Sequence, residues 1–147
     1  MPPAPSRQPS PVDDGLRVGL SERVELEVGE ADTAEALGSG DVPVLATPRL
    51  VALCEEASCR ALDGRLAEGR TTVATRIRFD HRAPVGVGAR ITAEATLVRV
   101  EGRRLTFNLS ASLRSDAWED VIGAGRLTRV VVDRAAFLAK ARARTAT

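Results

Sequence analysis

The stretch 47-TPRLVALCEEASCRAL-62 decides the fold of this 147-residue chain. Its apolar and small side chains recur around most of a helical circumference, a pattern typical of a buried helix. Thr47 is a good N-cap, and Pro48 suits the first helical position, where its missing N–H costs nothing. The dipeptide Asp63-Gly64 offers a stop signal. The sequence therefore predicts one central helix that is buried on nearly all sides.

Predicted strands precede and follow this helix along the chain. Segment 22-ERVELEV-28 alternates polar and apolar residues, as a half-buried strand does. After residue 70 the pattern predicts four more strands, near 72–83, 88–100, 103–114 and 119–132. Glu101-Gly102 marks a tight hairpin turn between two of them. Because short hairpins join antiparallel strands, the predicted fold class is α+β, with one helix against an antiparallel sheet.

The remaining segments carry weaker patterns. Residues 1–16 contain five of the eight prolines and are expected to form a flexible tail, leaving 17–147 as a single domain. Segment 29–43 is small and polar with three glycines, and could be a short extended piece followed by a mobile loop. Segment 133–144 predicts a short helix capped by Asp133.

Composition narrows the classes of function. A net charge of +1 argues against nucleic-acid binding driven by bulk charge. No apolar run approaches the roughly 20 residues that span a bilayer, and the N-terminus lacks an apolar signal core. Cys54 and Cys59 point about 140° apart on the helix and should not bridge each other. Two free thiols fit a reducing cytoplasm, and no metal-ligand cluster is recognisable.

Three residues suggest a hydrolase site: Thr47, Glu55 and the single histidine, His81. Glu56 has Arg60 four residues on and should pair with it at the surface, whereas Glu55 is flanked by small and apolar residues. A carboxylate in such surroundings must be paired, protonated or functional. A hydroxyl, a carboxylate and an imidazole suit hydrolysis, because a weak nucleophile needs a base and the base needs an orienting partner.

The strand that carries His81 predicts its direction. His81 alternates with Ile77 and Phe79 on an apolar face, while Asp80 lies on the other face. Among the arginines, Arg129, on the last strand after Gly125, is a candidate for binding a ligand phosphate. A Cys59–His81 nucleophile pair is also possible, but no local sequence signature supports it.

Three longer stretches together resemble a known family. They are ATPRLVALCEEASCRAL, ATRIRFDHRAPVGVGARITAEATLVRVEGRRLTFNLSA and GAGRLTRVVVDRAAFLAKAR. In this order they resemble the hot-dog-fold thioesterases of the fluoroacetyl-CoA thioesterase type, over roughly residues 16–144. The resemblance implies a sheet wrapped around one long helix, and a homodimer with its active sites at the subunit interface. It also implies an acyl-CoA substrate with no separate cofactor, and catalytic roles for Thr47, Glu55 and His81.

Two departures from the family pattern bear on specificity. Family members of the fluoroacetyl-specific type have aromatic lid residues just upstream of the catalytic threonine, but segment 29–46 contains no aromatic residue. A glycine usual on the strand before the histidine is replaced by Ala74, at a position that contacts the thioester. The resemblance implies hydrolysis of a small acyl-CoA. The missing aromatic lid residues imply no special preference for fluoroacetyl-CoA.

The residues leave the mechanism and two other functions open. Thr47 could attack or position the thioester with His81 as base and then acid, or Glu55 could activate water directly. A non-catalytic acyl-CoA or hydrophobic-ligand binding module on the same fold is one alternative. A hot-dog dehydratase, which also uses histidine with a carboxylate, is the other.

Overall fold

Five strands and one long helix make up most of residues 15–145, the part of the chain that the computed structural model describes. In chain order the elements are β1 (Ser21–Glu27), α1 (Ala34–Leu37), α2 (Thr47–Ala61), β2 (Arg70–His81), β3 (Arg90–Glu101), β4 (Arg104–Arg114), β5 (Glu119–Asp133) and α3 (Arg134–Thr145). The predicted elements are thus present, with ends shifted by a few residues at most. Most of the predicted N-terminal tail, residues 1–14, lies outside the described part. Leu16 packs against the core.

The five strands form one antiparallel sheet in the order β1-β3-β4-β5-β2. Gly102 and Arg103 form the turn between β3 and β4, and Gly102 has a φ of 59°. A positive φ at the first of two turn residues suits the right-handed twist of a hairpin and favours glycine. Because β1 and β2 are the outer strands, one edge of β2 has no strand partner among residues 15–145.

Helix α2 lies across one face of this sheet and packs mainly on β1 and β3. Its buried side chains are on the face toward the sheet: Leu50, Leu53, Cys54, Ala57, Ser58 and Ala61. The prediction of burial on nearly all sides was wrong, because Ala52 and Cys59 are exposed. A single sheet can cover only one side of a helix. The sheet therefore leaves the opposite side of α2 uncovered, and within the described part of the chain that side carries exposed residues.

The start of α2 also differs from the sequence prediction. The helix begins at Thr47, the cap position belongs to Ala46, and no side chain caps the first turn. Thr47 is therefore inside the helix and is not its N-cap. Its hydroxyl has a different partner, which is described below.

Segment 29–43 contains regular structure and is not an extended piece with a loop. Glu30–Asp32 form one turn of 3₁₀ helix, and α1 follows with Thr33 as its cap, whose Oγ1 accepts from the N–H of Ala36 at 3.2 Å. Gly38, with a φ of 69°, ends α1. Beyond it, Leu45 pairs with Thr33 as an isolated bridge. The segment folds back on itself and lies beside the start of α2.

Helix α3 follows β5 directly, as predicted. Oδ1 of Asp133 accepts from the N–H of Ala136 at 2.8 Å and caps the helix. None of the α3 side chains is buried. Among residues 15–145, no helix is both long enough and apolar enough to cross a membrane.

Candidate functional site

The hydroxyl of Thr47 and the imidazole of His81 form a hydrogen bond of 2.8 Å between Oγ1 and Nδ1. Thr47 is the first residue of α2 and His81 is the last residue of β2. His81 shares a strand face with Phe79 and Ile77, as the alternation predicts, and Ile77 pairs with the fully buried Leu127. This face looks toward α2, so two of the three residues that the sequence singled out meet where the helix begins.

Two glycines of β5 allow β2 to approach closely at this point. Gly125 pairs with Phe79, and Gly123 pairs with His81. A Cβ on Gly125 would overlap the carbonyl oxygen of Arg78 and lie 2.8 Å from the Cα of Phe79. A Cβ on Gly123 would lie 2.7 Å from the Phe79 ring. Glycine at both positions therefore lets β2, the strand that carries the histidine, lie this close to β5.

A cavity of about 340 Å³ opens beside the Thr47–His81 pair. Its walls come from the first turn of α2, from the end of β2 and from the segment after α1. The lining residues include Thr47, Pro48, His81, Ala34, Gly40, Val42, Val44, Leu45 and Ala83. Apart from the reactive pair, the lining is mostly small and apolar, as suits a short acyl group.

The first turn of α2 leaves backbone donors beside this cavity. The first N–H groups of a helix have no intrahelical acceptor, and no side chain of residues 15–145 caps them here. Pro48 has no N–H, so Thr47 and Arg49 supply the available donors. Together with the helix dipole, such donors stabilise negative charge on an oxygen atom.

The second nitrogen of the histidine ring, Nε2 of His81, is buried and has no hydrogen-bond partner among residues 15–145. If Nδ1 accepts the proton of the Thr47 hydroxyl, Nε2 carries the proton of the neutral ring. A buried N–H without an acceptor is costly, so a further acceptor is expected at this atom.

Glu55 does not meet the other two residues within one chain. It lies eight residues after Thr47 on the same helix, which is about 12 Å along the axis. The cavity beside His81 does not include it. Its side chain is half-buried, and among the described residues nothing donates a hydrogen bond to its carboxylate. Glu56 is exposed and accepts from Arg60 at 3.0 Å, which confirms the predicted surface pair.

Arg129 and Ala74 lie opposite each other on β5 and β2, away from the Thr47–His81 pair. Arg129 is only 7% exposed. Its Nε donates to Thr72 Oγ1 at 2.9 Å, and its Nη2 donates to the Thr72 carbonyl oxygen at 3.1 Å. Ala74 is exposed and stands beside an irregularity in the pairing of β2 with β5. Two of the guanidinium nitrogens of Arg129 thus hold the strand.

The two cysteines are free thiols in different surroundings. Burial, together with the nearby charge of Glu55, raises the pKa of the Cys54 thiol to about 12. Cys54 is therefore un-ionised near neutral pH and is a poor nucleophile. Cys59 is exposed and lines a cavity at the opposite end of β2 from His81. The structure does not bring Cys59 and His81 together.

The ion pair between Asp32 and Arg49 contributes to the site and was not predicted from the sequence. Nε of Arg49 donates to Oδ1 of Asp32 at 2.8 Å, and the N–H of Gly29 donates to Oδ2 of Asp32 at 2.8 Å. Burial opposes the ionisation of Asp32, but these hydrogen bonds and the charge of Arg49 outweigh it and lower its pKa. No local sequence pattern indicates the pair, because its members are 17 residues apart.

Comparison with known proteins adds independent findings. A sequence model of the family of fluoroacetyl-CoA-specific thioesterases matches residues 28–135. The fluoroacetyl-CoA thioesterase of Streptantibioticus cattleyicolor is 37% identical over 138 residues, which cover 90% of this chain and 96% of that protein.

Solved structures agree with the fold. A variant of a fluoroacetyl-CoA thioesterase in complex with acetyl-CoA matches with a TM-score of 0.81 at 31% identity, over 89% of this chain and 100% of that one. A hot-dog-like protein from Thermanaerovibrio acidaminovorans matches with a TM-score of 0.79 at 23% identity, over 90% of this chain and 95% of that one. The expected hot-dog fold is confirmed.

Proposed function

The chain belongs to the family of fluoroacetyl-CoA-specific thioesterases, and we propose that it hydrolyses a small acyl-CoA thioester to the free acid and CoA. The observation that carries this proposal is the 2.8 Å hydrogen bond between Thr47 and His81 beside a small apolar cavity. A hydroxyl that donates to an imidazole is a nucleophile with its base in place. A related protein has acetyl-CoA bound, which supports an acyl-CoA as the substrate class.

In the first route Thr47 acts as the nucleophile. Its oxygen attacks the thioester carbonyl carbon while its proton passes to Nδ1 of His81. The carbon–sulfur bond then breaks, and the CoA sulfur takes that proton as it leaves. Water attacks the acyl-threonine ester with His81 again as base, which releases the acid and restores the hydroxyl. The Thr47–His81 hydrogen bond serves the first attack, and in each later step the imidazole of His81 gives or takes the proton.

Negative charge develops on the thioester oxygen in each tetrahedral intermediate. We assign the backbone N–H groups of Thr47 and Arg49 to hold this oxygen. They lie in the uncapped first turn of α2, beside the attacking hydroxyl. Donors that are fixed before the reaction need no reorganisation during it, which is why such sites lower the barrier.

In the second route Glu55 activates a water molecule that attacks the same carbonyl. In either route Glu55 must come close to His81, and its own chain holds it about two helical turns away. We propose that Glu55 reaches the site from a second copy of the chain. There its carboxylate would orient the imidazole of His81, whose Nε2 must first turn out of its buried position, where it lacks a partner among residues 15–145.

A homodimer fits the surfaces that this chain leaves uncovered. Strand β2 is an outer strand of the sheet, and exposed strand edges are usually paired or covered. On its face toward α2, Ile77 is 38% exposed. The side of α2 away from the sheet also carries exposed residues, among them Ala52 and Cys59. Pairing of two β2 edges about a two-fold axis would cover both surfaces and bring each Glu55 toward the other chain's His81.

Sedimentation at several protein concentrations tests the dimer. We expect a single dimeric species at the concentrations used for kinetics. Mixing two inactive variants, Glu55→Gln and His81→Ala, gives a sharper test. If each site takes Glu55 from the partner, the mixed dimer has one intact site, and about a quarter of wild-type activity should return at equal amounts. A stable monomer with full activity would overturn the composite site.

A thiol-release screen over short, branched and aromatic acyl-CoAs tests the hydrolysis itself. We expect measurable turnover with at least one short acyl-CoA, and its loss in the Thr47→Ala variant. Binding without thiol release would favour a non-catalytic acyl-CoA binding module. Activity on a hydroxyacyl-CoA that survives Thr47→Ala would favour a dehydratase, which has no need of Thr47.

The mechanism needs no cofactor besides the CoA carried by the substrate. We propose a cytoplasmic location, because two free thiols suit a reducing compartment.

A further inference from the structure

Helix α3 lies over the outer face of the sheet, the face away from α2, and an open cavity of about 590 Å³ lies between this helix and the strands. Phe137, Lys140, Ala141 and Arg144 follow the spacing i, i+3, i+4 and i+7, so one face of α3 lines the cavity. No side chain of α3 is buried, and Phe137 is 40% exposed. The helix therefore turns its largest apolar side chain toward the strands without packing closely on them.

Three valines form the floor of the cavity. Val130 and Val132 alternate along β5 with the fully buried Val131, so they point away from α2. Val73 pairs with Val130 and lies beside it on β2. The three floor valines are each half-buried, so the cavity reaches them. On β3 and β4 the same outer face is mainly polar, with Glu94, Thr96, Asn108 and Ser110.

A β-bulge at Thr75 puts Val73 into this floor. The pairing of β2 with β5 shifts between Ala74 and Arg76, which leaves Thr75 without a partner on β5. Val73 and His81 are eight residues apart and would share one face of a regular strand. The extra residue turns Val73 to the opposite face, as bulges do. About 26 Å of strand also separates Val73 from His81, so this cavity is distinct from the candidate active site.

The charges around the cavity are all positive. Lys140 and Arg144 line it and are exposed, and none of the lining residues carries a carboxylate. Over Arg134–Thr145 the helix has four cations and no acidic residue. The ion pairs within residues 15–145 involve no side chain of α3. Two such cations above an apolar floor are complementary to one anionic head group on an apolar tail.

We propose that this cavity binds a free fatty acid of medium chain length, with its tail on the valines and Phe137 and its carboxylate at Lys140 and Arg144. Ammonium and guanidinium groups donate strong hydrogen bonds to carboxylates. From Phe137 to Arg144 the cavity follows α3 for about 10 Å, which limits the length of the tail. A bilayer surface does not fit, because this face of α3 is turned toward the sheet and only a single chain can enter between them. The inference does not depend on the proposed function.

Calorimetric titration with three probes below their micelle-forming concentrations tests the charge requirement. The probes are decanoate, decan-1-ol, which has the tail without the charge, and acetate, which has the charge without the tail. The variants are Lys140→Gln, Arg144→Gln and the two together. Arg142→Gln is the matched control, since Arg142 lies about 160° around α3 from both cations. We expect the double variant to bind decanoate about tenfold more weakly, because each exposed charge pair contributes roughly threefold to fivefold. Arg142→Gln should bind decanoate like the wild type, decan-1-ol should bind every variant equally, and acetate should not bind.

A steric variant tests the cavity itself. Ala141→Trp places a large side chain in the cavity and should abolish the binding of both decanoate and decan-1-ol. Ala139→Trp is its control, because Ala139 lies about 160° around the helix from Ala141, and it should bind both probes normally. Both alanines are exposed, so the two variants should keep the thermal midpoint of the wild type.

Equal binding of decanoate to the wild type, the double variant and Ala141→Trp would overturn the proposal, because the acid would then lie elsewhere, for instance in the candidate active site. An equal loss in Arg142→Gln and the double variant would overturn it too, since that would mean general attraction to a basic helix. So would a wild type that binds no decanoate. In that case a changed oligomeric state of Ala141→Trp in sedimentation would identify a contact between copies of the chain, and binding to phosphatidylglycerol vesicles would identify a membrane-binding helix. Decanoate binding that Ala141→Trp abolishes, in a protein that hydrolyses no acyl-CoA, would support this site and reject the proposed function.

Discussion

Arg49, in the first turn of α2, holds Asp32 across a hydrogen bond of 2.8 Å and so ties the segment before the helix to the helix that carries Thr47. Asp32 also accepts from the N–H of Gly29, and its own carbonyl oxygen accepts from the N–H of Ala46 at 2.9 Å. Residues of this segment form one wall of the cavity beside His81. The half-buried ion pair and these backbone hydrogen bonds together hold that wall in position.

We expect Asp32→Asn to lower the free energy of unfolding by about 1 to 2 kcal/mol at pH 7, because charge-assisted hydrogen bonds are lost. The pKa of Asp32 is lowered in the folded state. Its contribution is therefore present above the unfolded-state pKa of about 3.9 and is lost as the pH falls through the lower folded-state value. Urea unfolding from pH 7 down to pH 2 measures it. Glu30→Gln, in the same turn, is the control, and a constant difference between wild type and Asp32→Asn at every pH would contradict the assignment.

Thr47→Ala should lower kcat by about a hundredfold or more, whereas Thr47→Ser should retain most of it, because only the hydroxyl reacts. Since Thr47 does not cap α2, the alanine variant loses no cap hydrogen bond, and its thermal midpoint should stay near that of the wild type. Steady-state kinetics and thermal unfolding on both variants check this. Equal activity of alanine and serine variants would remove Thr47 from the mechanism.

Glu55→Gln and Glu56→Gln form a matched pair on neighbouring positions of one helix. The first should lower turnover by roughly a hundredfold, as the loss of an acid–base group does. The second loses an exposed pair with Arg60, worth at most about half a kcal/mol of stability, and should turn over normally. Equal turnover in the two variants would favour the binding-module alternative. A larger defect at Glu56 would mean that the wrong face of α2 has been assigned to the site.

Fluoroacetyl-CoA should be preferred over acetyl-CoA by less than about a hundredfold in kcat/KM, or roughly 2.7 kcal/mol. Gripping so small an acyl group and excluding water require bulky side chains above it. The cavity wall upstream of Thr47 offers Ala34, Gly40, Val42 and Val44 instead. Competition between the two substrates gives the ratio directly, and a value well above a hundredfold would show that small residues suffice.

Gly125→Ala should destabilise the protein by about 2 to 3 kcal/mol, because the added methyl group would overlap the carbonyl oxygen of Arg78. The strand would have to move, and His81 lies two residues beyond Phe79, the residue paired with Gly125. Turnover should therefore fall together with stability. Gly86→Ala is the control, since a Cβ there has nothing within 4 Å. Urea unfolding with parallel kinetics makes the comparison, and an unchanged Gly125→Ala variant would show that β2 and β5 can separate at no cost.

Much of the fold could be predicted because its signals are local. The hairpin at Gly102, the cap at Asp133 and the alternation that turns His81 toward the helix each depend on a few neighbouring residues, and all are present. The segment 29–43 was harder, since its structure depends on Arg49 and on a bridge between Thr33 and Leu45. Those contacts join residues that are too far apart in the sequence for a local pattern to reveal them.

The candidate site likewise has a part that the sequence predicts and a part that only the structure shows. Residue type and spacing were enough to single out Thr47 and His81, and the family resemblance was enough to indicate a thioesterase. The sequence could not show that the Thr47 hydroxyl bonds to His81 and leaves the helix uncapped, because that choice depends on how closely β2 approaches β5 at Gly125. Nor could it show that Arg129 is bound to Thr72 while Nη1 of Arg70 lacks a partner among residues 15–145.

The sequence by itself determined the order and type of the elements, since helical and strand periodicity are properties of neighbouring side chains. Only the tertiary structure decided which polar atoms meet. A hydrogen bond needs two atoms within about 3 Å, and Thr47 and His81 are 34 residues apart. That distance is set by the packing of α2 on the sheet and by the register of β2 on β5, which depend on the whole chain at once.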